Sequence, residues 1–214
     1  MSSGIREPRR LVRPPADTET AEWLAEWLNS PDQAFNAVGM DFRGADLSGV
    51  DFTLAWLSSG VFTSVTMRGI ELHRAHLESA DLTDADLTGA DLTKVTLDDA
   101  RMHRARLDGA DLASASLWGV DAQGASFRGA RFPGASLMDA DLRGAVLSDA
   151  VFAGTSFRVT VDDRTAVDGM SGSINASVTL VDGDGRRELT ATELSEWFAA
   201  RGAQVEVQEM GTRS

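Results

Sequence analysis

Cysteine is absent from the 214 residues, which excludes a disulfide framework and any thiolate metal site. Long apolar runs are absent too: none approaches 18 consecutive residues, so no membrane span is expected. Basic charge is scarce, with 20 Lys and Arg against 33 Asp and Glu, a net charge of −13. Direct nucleic-acid binding needs clustered Lys and Arg against phosphates, so this balance argues against it. An acidic surface keeps a chain soluble and suits a partner's basic groove. Arg9 and Arg10 are followed by no apolar stretch between Leu11 and Asp17, so neither a twin-arginine nor a secretory signal is read. The expected location is cytoplasmic. Histidine is limited to His73, His76 and His103, and no nucleophile triad, phosphate loop or nucleotide fingerprint is present. No catalytic, cofactor-binding or metal residue is assigned, no cofactor is implied, and an enzyme is not expected.

What the sequence does have is a five-residue period. From Phe42 to Phe157 a central residue returns at every fifth position, 24 times over, and all but Ala122 are large and apolar. Two residues before each, from Ala45 onward, stands a small or β-branched residue, as in Ala80-Asp81-Leu82-Thr83-Asp84 and Ala90-Asp91-Leu92-Thr93-Lys94. An α-helix would scatter these leucines, because five residues advance it by about 140° net. A flat strand would flip alternate repeats to opposite faces. The pattern instead predicts a short extended piece, with Ala and Leu inward and Asp outward, followed by a corner. Glycine recurs at the fifth position, as at Gly44, Gly49 and Gly89, where a corner favours it. Corners of one hand wind the chain into a coil whose turns stack about 4.8 Å apart.

This run resembles the pentapeptide-repeat family, whose pattern is A(D/N)LXX. The resemblance implies a mainly β fold, a right-handed four-sided parallel β-helix of twenty residues per coil. Six coils would make a rod roughly 29 Å long. Some relatives are DNA mimics that bind type II topoisomerases and dimerise through the C-terminal end, so the resemblance implies a topoisomerase partner and a homodimer contact in the C-terminal cap. This chain departs from them in that no loop interrupts its coils. An immunity or scaffold protein recognising another partner stays open beside that reading.

Around the coils the sequence divides into a flexible basic tail (1–17), a helical N-terminal cap (18–39), the repeats (40–159) and a small α/β cap (160–214). In the first cap, Trp23, Leu24, Trp27 and Leu28 share one helical face between about Glu19 and Asn29. That face is expected on the end of the solenoid, with a docking helix as the alternative. After Phe157 the register fails, since Asp162 falls where the next Leu should be. Val178–Val181 and Arg187–Leu189 predict a hairpin around Asp182-Gly183-Asp184-Gly185, read as a plain turn rather than a calcium loop. Thr190-Ala-Thr-Glu193 is a capping box opening a helix, and Val205 and Val207 alternate as in a strand. Leu194, Trp197 and Phe198 on that helix are the candidate dimer or cap surface.

Taken by sides, the outward charges differ. The Phe42 side carries five acids and four bases, and the Leu47 and Phe52 sides four acids and three bases each. On the Leu57 side Glu78, Asp98, Asp99 and Asp139 face only Arg158, with Trp56, Trp118 and Met138 also outward. The candidate partner-binding residues are therefore Glu78, Asp98, Asp99, Trp118, Met138 and Asp139. The alternative is that Trp118 and Met138 pack under the C-terminal cap.

Overall fold

The computed structural model describes residues 11–29, 34–183 and 185–209. Parallel bridges join residues twenty apart, as in Asp81↔Arg101 and Asp86↔Arg106, so each coil has four sides. Every central residue from Phe42 to Phe157 is buried, and so is the residue two before it except at the first repeat, where Met40 is partly buried. Each inward pair is held by ladder bonds to the next coil, for example Leu82 N–H to the Arg101 carbonyl at 2.7 Å. No described helix is long and apolar enough to cross a membrane.

The corners are more uniform than the glycines suggested. Twelve non-glycine residues at the fifth position, Leu54, Arg74 and Lys94 among them, also adopt φ between 54° and 62°. The left-handed turn is thus imposed by the coil, and the ladder bonds offset its steric cost at ordinary residues. The outward Asp before the central Leu completes the corner. Its Oδ1 accepts the backbone N–H two residues on, as in Asp81–Thr83 (3.0 Å), Asp91–Thr93 (2.9 Å) and Asp111–Ala113 (3.0 Å).

Inside, aromatic rings stack at both ends of the rod and Leu fills its middle. Phe42 lies on Phe62 at 4.7 Å and Phe132 on Phe152 at 4.8 Å, each pair within 4° of parallel. Ala122 and Val120 are both buried, so the large and small positions have exchanged volume there. The same exchange recurs at Phe35 and Ala37, where Phe takes the small slot and Ala the large one. Ala122→Leu alone is expected to overpack the coil and cost about 1–3 kcal/mol, with Val120→Ala restoring the loss. Urea midpoints of the two single mutants and the double mutant check this. A clearly stabilised Ala122→Leu would sink the exchange.

The coils extend beyond residues 40–159 in both directions. On the Leu57 side the stack runs Asn36, Trp56, His76, Thr96, Ser116, Ser136, Ser156 and Asn175. Strand pairing is continuous in the last coils, where β1 (Arg131–Pro133) and β2 (Ser136–Asp141) pair with β3 (Val151–Asp162). β3 in turn pairs in parallel with β4 (Ser171–Asp182). The failure at Asp162 is a slip of one residue. Ala140 pairs with Val159 rather than with residue 160, and Val146↔Ala166 restores the spacing of twenty. In between, the Leu142 amide reaches the Thr160 carbonyl, so Val161 takes the inward place and Asp162 turns to the corner.

Both ends are covered. The 1–17 segment is not a free tail throughout: Arg13 pairs antiparallel with Asp46, and the Ala16 amide donates to the Arg43 carbonyl at 2.8 Å. These contacts satisfy an otherwise open edge of the first coil. Residues 1–10 lie outside the described residues. Helix α1 (Thr18–Asn29) is capped by Asp17, whose carboxylate accepts the Thr20 amide at 2.7 Å. Leu24 is buried, Trp27 packs on Phe35 (4.8 Å) and Phe52 (5.5 Å), and Leu28 lies against the core, so three of the four residues of the predicted face lie on the solenoid end, while Trp23 stays 45% exposed. At the other end β4 turns into β5 (Gly185–Leu189), antiparallel with Asp182 opposite Gly185; Asp184 lies outside the described residues. The capping box opens α2 (Ala191–Ala199), and β6 (Gln204–Glu209) returns to pair in parallel with the first half of β4. One strand and one hairpin arm thereby close the last coil.

Candidate functional site

Leu194, Trp197 and Phe198 are 1%, 8% and 2% exposed. They pack α2 onto the sheet, and Arg201 lies over the Trp197 ring at 4.2 Å. Of their two readings, dimer surface or cap surface, this burial agrees with the cap, which uses their apolar area to cover the last coil. A homodimer through this end would have to use other groups. A shallow groove beside them, lined by Phe152, Gly172, Phe198 and Val205, has Glu206 as its titratable group and offers no acid–base pair.

The Leu57 side presents its outward residues as regular columns. Trp56 and Trp118 are 50% and 47% exposed, so the C-terminal cap does not cover Trp118; Met138 is half-buried and Asp139 exposed. Trp56 stacks on His76 at 4.3 Å. Glu78 is held by the Ser58 hydroxyl (2.6 Å) and by His76 Nδ1 (3.0 Å). Burial raises its pKa, but those two hydrogen bonds outweigh this and hold the carboxyl below its usual range. Asp98 accepts the Ser116 hydroxyl at 2.5 Å and the Trp118 amide at 3.0 Å. Asp99 is exposed at a corner with φ 57°. Asp139 forms a bidentate pair with Arg158, 2.7 and 2.6 Å, so its charge is closed locally. Glu78, Asp98 and Asp99 have no Lys or Arg partner among the described residues.

Counting charges by side missed how they pair. On the Phe42 side Asp41–Arg43, Asp81–Arg101, Asp84–Arg104 and Asp141–Arg143 are ion pairs, and His103 Nε2 meets Asp121 at 2.5 Å. On the Leu47 side Arg68 and Arg106 close on Asp86 and Asp108, and Arg128 on Asp149. The Phe52 side has a similar count but a different arrangement. Glu71, Asp91 and Asp111 stack rung on rung, about 4.8 Å apart. None is ion-paired among the described residues, although Arg74, Lys94 and Arg131 share that side. Arg–Asp pairs therefore dominate two adjacent sides, while on the other two only Asp139 is closed by an arginine among the described residues. His73, His76 and His103 stand on separate sides or rungs, and the described residues contain no group of three or more metal-ligating side chains.

These features define a class: a capped, four-sided, right-handed parallel β-helix with a packed interior and its chemistry on the outside. A model of the family described as Pentapeptide repeats matches eight copies, over residues 33–63, 70–109, 105–144 and 135–158. More than half of the chain is matched, and the chain belongs to this family. Solved structures with a similar fold include HetL, a pentapeptide repeat protein involved in heterocyst differentiation regulation from the cyanobacterium Nostoc sp. strain PCC 7120. It is 24% identical over 66% of this chain and 73% of its own, with a TM-score of 0.44. QnrB1, a plasmid-mediated fluoroquinolone resistance protein, is 14% identical over 82% of this chain and 92% of its own, TM-score 0.49. A pentapeptide repeat protein from the Arabidopsis thaliana thylakoid lumen is 27% identical over 55% and 68%, TM-score 0.31. No curated protein matches the sequence.

Proposed function

We propose that this protein is a non-catalytic, cytoplasmic binding module that presents open carboxylate charge on two adjacent sides of a rigid rod to a basic surface of a protein partner. The observation that carries this reading is the pairing pattern. Glu71, Asp91 and Asp111 on one side, and Glu78, Asp98 and Asp99 on the next, have no Lys or Arg partner among the described residues, and Glu78 meets only His76, whereas the other two sides are laced with Arg–Asp pairs. Unpaired carboxylates can meet a basic partner without first breaking an ion pair, although Arg74, Lys94 and Arg131 offset the field of Glu71, Asp91 and Asp111 at longer range. The partner proposed first is a type II topoisomerase, whose DNA-binding groove is basic, and the stacked carboxylates favour this because they repeat like a charged backbone. Gyrase supercoiling titrated with the protein tests it. Inhibition or drug protection is expected and should weaken at least about tenfold in Asp98→Lys/Asp99→Lys or Asp91→Lys/Asp111→Lys. No effect at high concentration rules out the topoisomerase. The second reading, an immunity or scaffold protein, is favoured by the exposure of Trp118. It expects capture of a single partner that is lost with Trp118→Ala and unchanged by the lysine variants.

A further inference from the structure

Seven large hydrophobic residues are exposed among the described residues, and four of them gather at one end of the rod. Trp23, Val38, Leu54 and Trp56 are each 45–53% exposed. Their contiguity follows from the pairing. The Trp23 indole N–H donates to the Asn36 carbonyl at 3.1 Å, and Asn36 is the rung neighbour of Trp56. Val38 lies two residues along from Asn36 on the same side, and Leu54 occupies the corner just before Trp56. The patch is also held rigid: Trp56 is stacked on His76, and His76 is tied to Glu78. A fixed, solvent-facing indole costs little further ordering on binding.

We infer that this patch, formed by Trp23, Val38, Leu54 and Trp56, is a docking site for a short segment of a partner protein that sets aliphatic side chains beside Lys or Arg. The charge around it selects that occupant. Helix α1 carries Glu19, Glu22 and Glu26 with no basic residue, and Glu22 and Glu26 flank Trp23 on exposed positions. Glu78 borders the patch on the rod, against Arg74 as the one base in the adjoining corner. A basic apolar segment meets complementary charge here, whereas an acidic one would be repelled. The inference rests on the reading of the rod as a binding module but not on its stacked carboxylates or on a topoisomerase.

The test uses the full chain and two amidated nine-residue peptides, one alternating Leu and Lys and one in which Gly replaces Leu. Binding is followed by tryptophan fluorescence and calorimetry. The leucine peptide is expected to bind about tenfold more tightly than the glycine peptide. Trp56→Ser and Val38→Ser should each remove most of that difference, Glu78→Gln should weaken both peptides about threefold, and Trp118→Ala should leave both unchanged. Val38→Ser alters an outward side chain only and keeps the test valid if Trp56→Ser disturbs the fold. Equal affinity for the two peptides, or equal weakening by Trp118→Ala, overturns the proposal. So does self-association in sedimentation that Trp56→Ser abolishes, because a second copy would then occupy the patch. Failure of the gyrase assay leaves these outcomes untouched, so the two readings fail separately.

Discussion

Gly172→Ala is expected to destabilise the protein by at least about 3 kcal/mol, well beyond the ordinary cost of a glycine replacement. Gly172 pairs with Phe152 in β3 on one side and with Val205 in β6 on the other. Its φ is +106°, and a Cβ built there would lie 1.7 Å from the Phe152 carbonyl oxygen. That atom is backbone, so only a separation of β3 from β4 relieves the clash. The separation would open the ladder where the coil hands over to the cap. Gly154→Ala is the control, since its φ is +62° and nothing lies within 4 Å of its added Cβ. The control is expected to cost about 1 kcal/mol. Urea midpoints, with hydrogen exchange of the β4 and β6 amides, compare the two. Equal midpoints for both variants would overturn this account of the handover.

Asp162→Leu should also destabilise, by roughly 2–3 kcal/mol, although it restores the residue that the repeat calls for. The reason is the one-residue slip. Val161 already fills the inward place under Leu142, and Asp162 sits almost buried at the corner. Its Oδ1 accepts the Gly144 amide at 2.8 Å and the Arg164 amide at 3.1 Å, while Oδ2 pairs with the Arg164 guanidinium at 2.7 Å. Its own amide donates to Thr165 Oγ1 at 3.1 Å, and Thr165 in turn donates to the Leu142 carbonyl. A leucine leaves the Gly144 amide without its acceptor. Burial pushes the Asp162 carboxyl up, but the Arg164, Gly144 and Thr165 hydrogen bonds outweigh it and hold it below its usual value. A depressed folded pKa means that this stabilisation is present above the ordinary aspartate range and is lost as pH falls through the lower folded value. Asp162→Asn should therefore flatten the acid limb of the stability profile below about pH 4. A profile that coincides with the wild type's would remove Asp162 from the account.

Phe35 and Asp162 mark how far the fold was legible. The period of five dictated corners and an inward Ala–Leu pair, because no other backbone keeps those side chains on one side. It could not show that Phe35-Asn36-Ala37 begins the stack, since there the large and small residues trade places. Nor could it foresee the slip at Asp162, which depends on β3 passing one corner without its fifth residue. Leu194, Trp197 and Phe198 read equally well as a dimer face or a cap, and only packing against β4 and β6 separated the two.

For the site, residue identities and columns were in the sequence, and so was the outward placing of Glu78, Asp98, Asp99 and Trp118. Which carboxylates remain open was not. A count gives the Leu47 and Phe52 sides the same balance, yet ion pairing depends on rung, side-chain reach and direction. Arg68 and Arg106 reach Asp86, whereas Arg74 and Lys94 leave their corner without closing on Glu71 or Asp91. The gathering of Trp23 with Trp56 likewise joins residues from a helix and a coil. The sequence by itself determined a coil with every central residue inward, because a strict period of five fits neither an α-helix nor a flat strand; its four sides came from the family resemblance and from the bridges twenty residues apart. The tertiary structure decided where its charge stays open and where its apolar patch forms, because both depend on contacts between residues far apart in the chain.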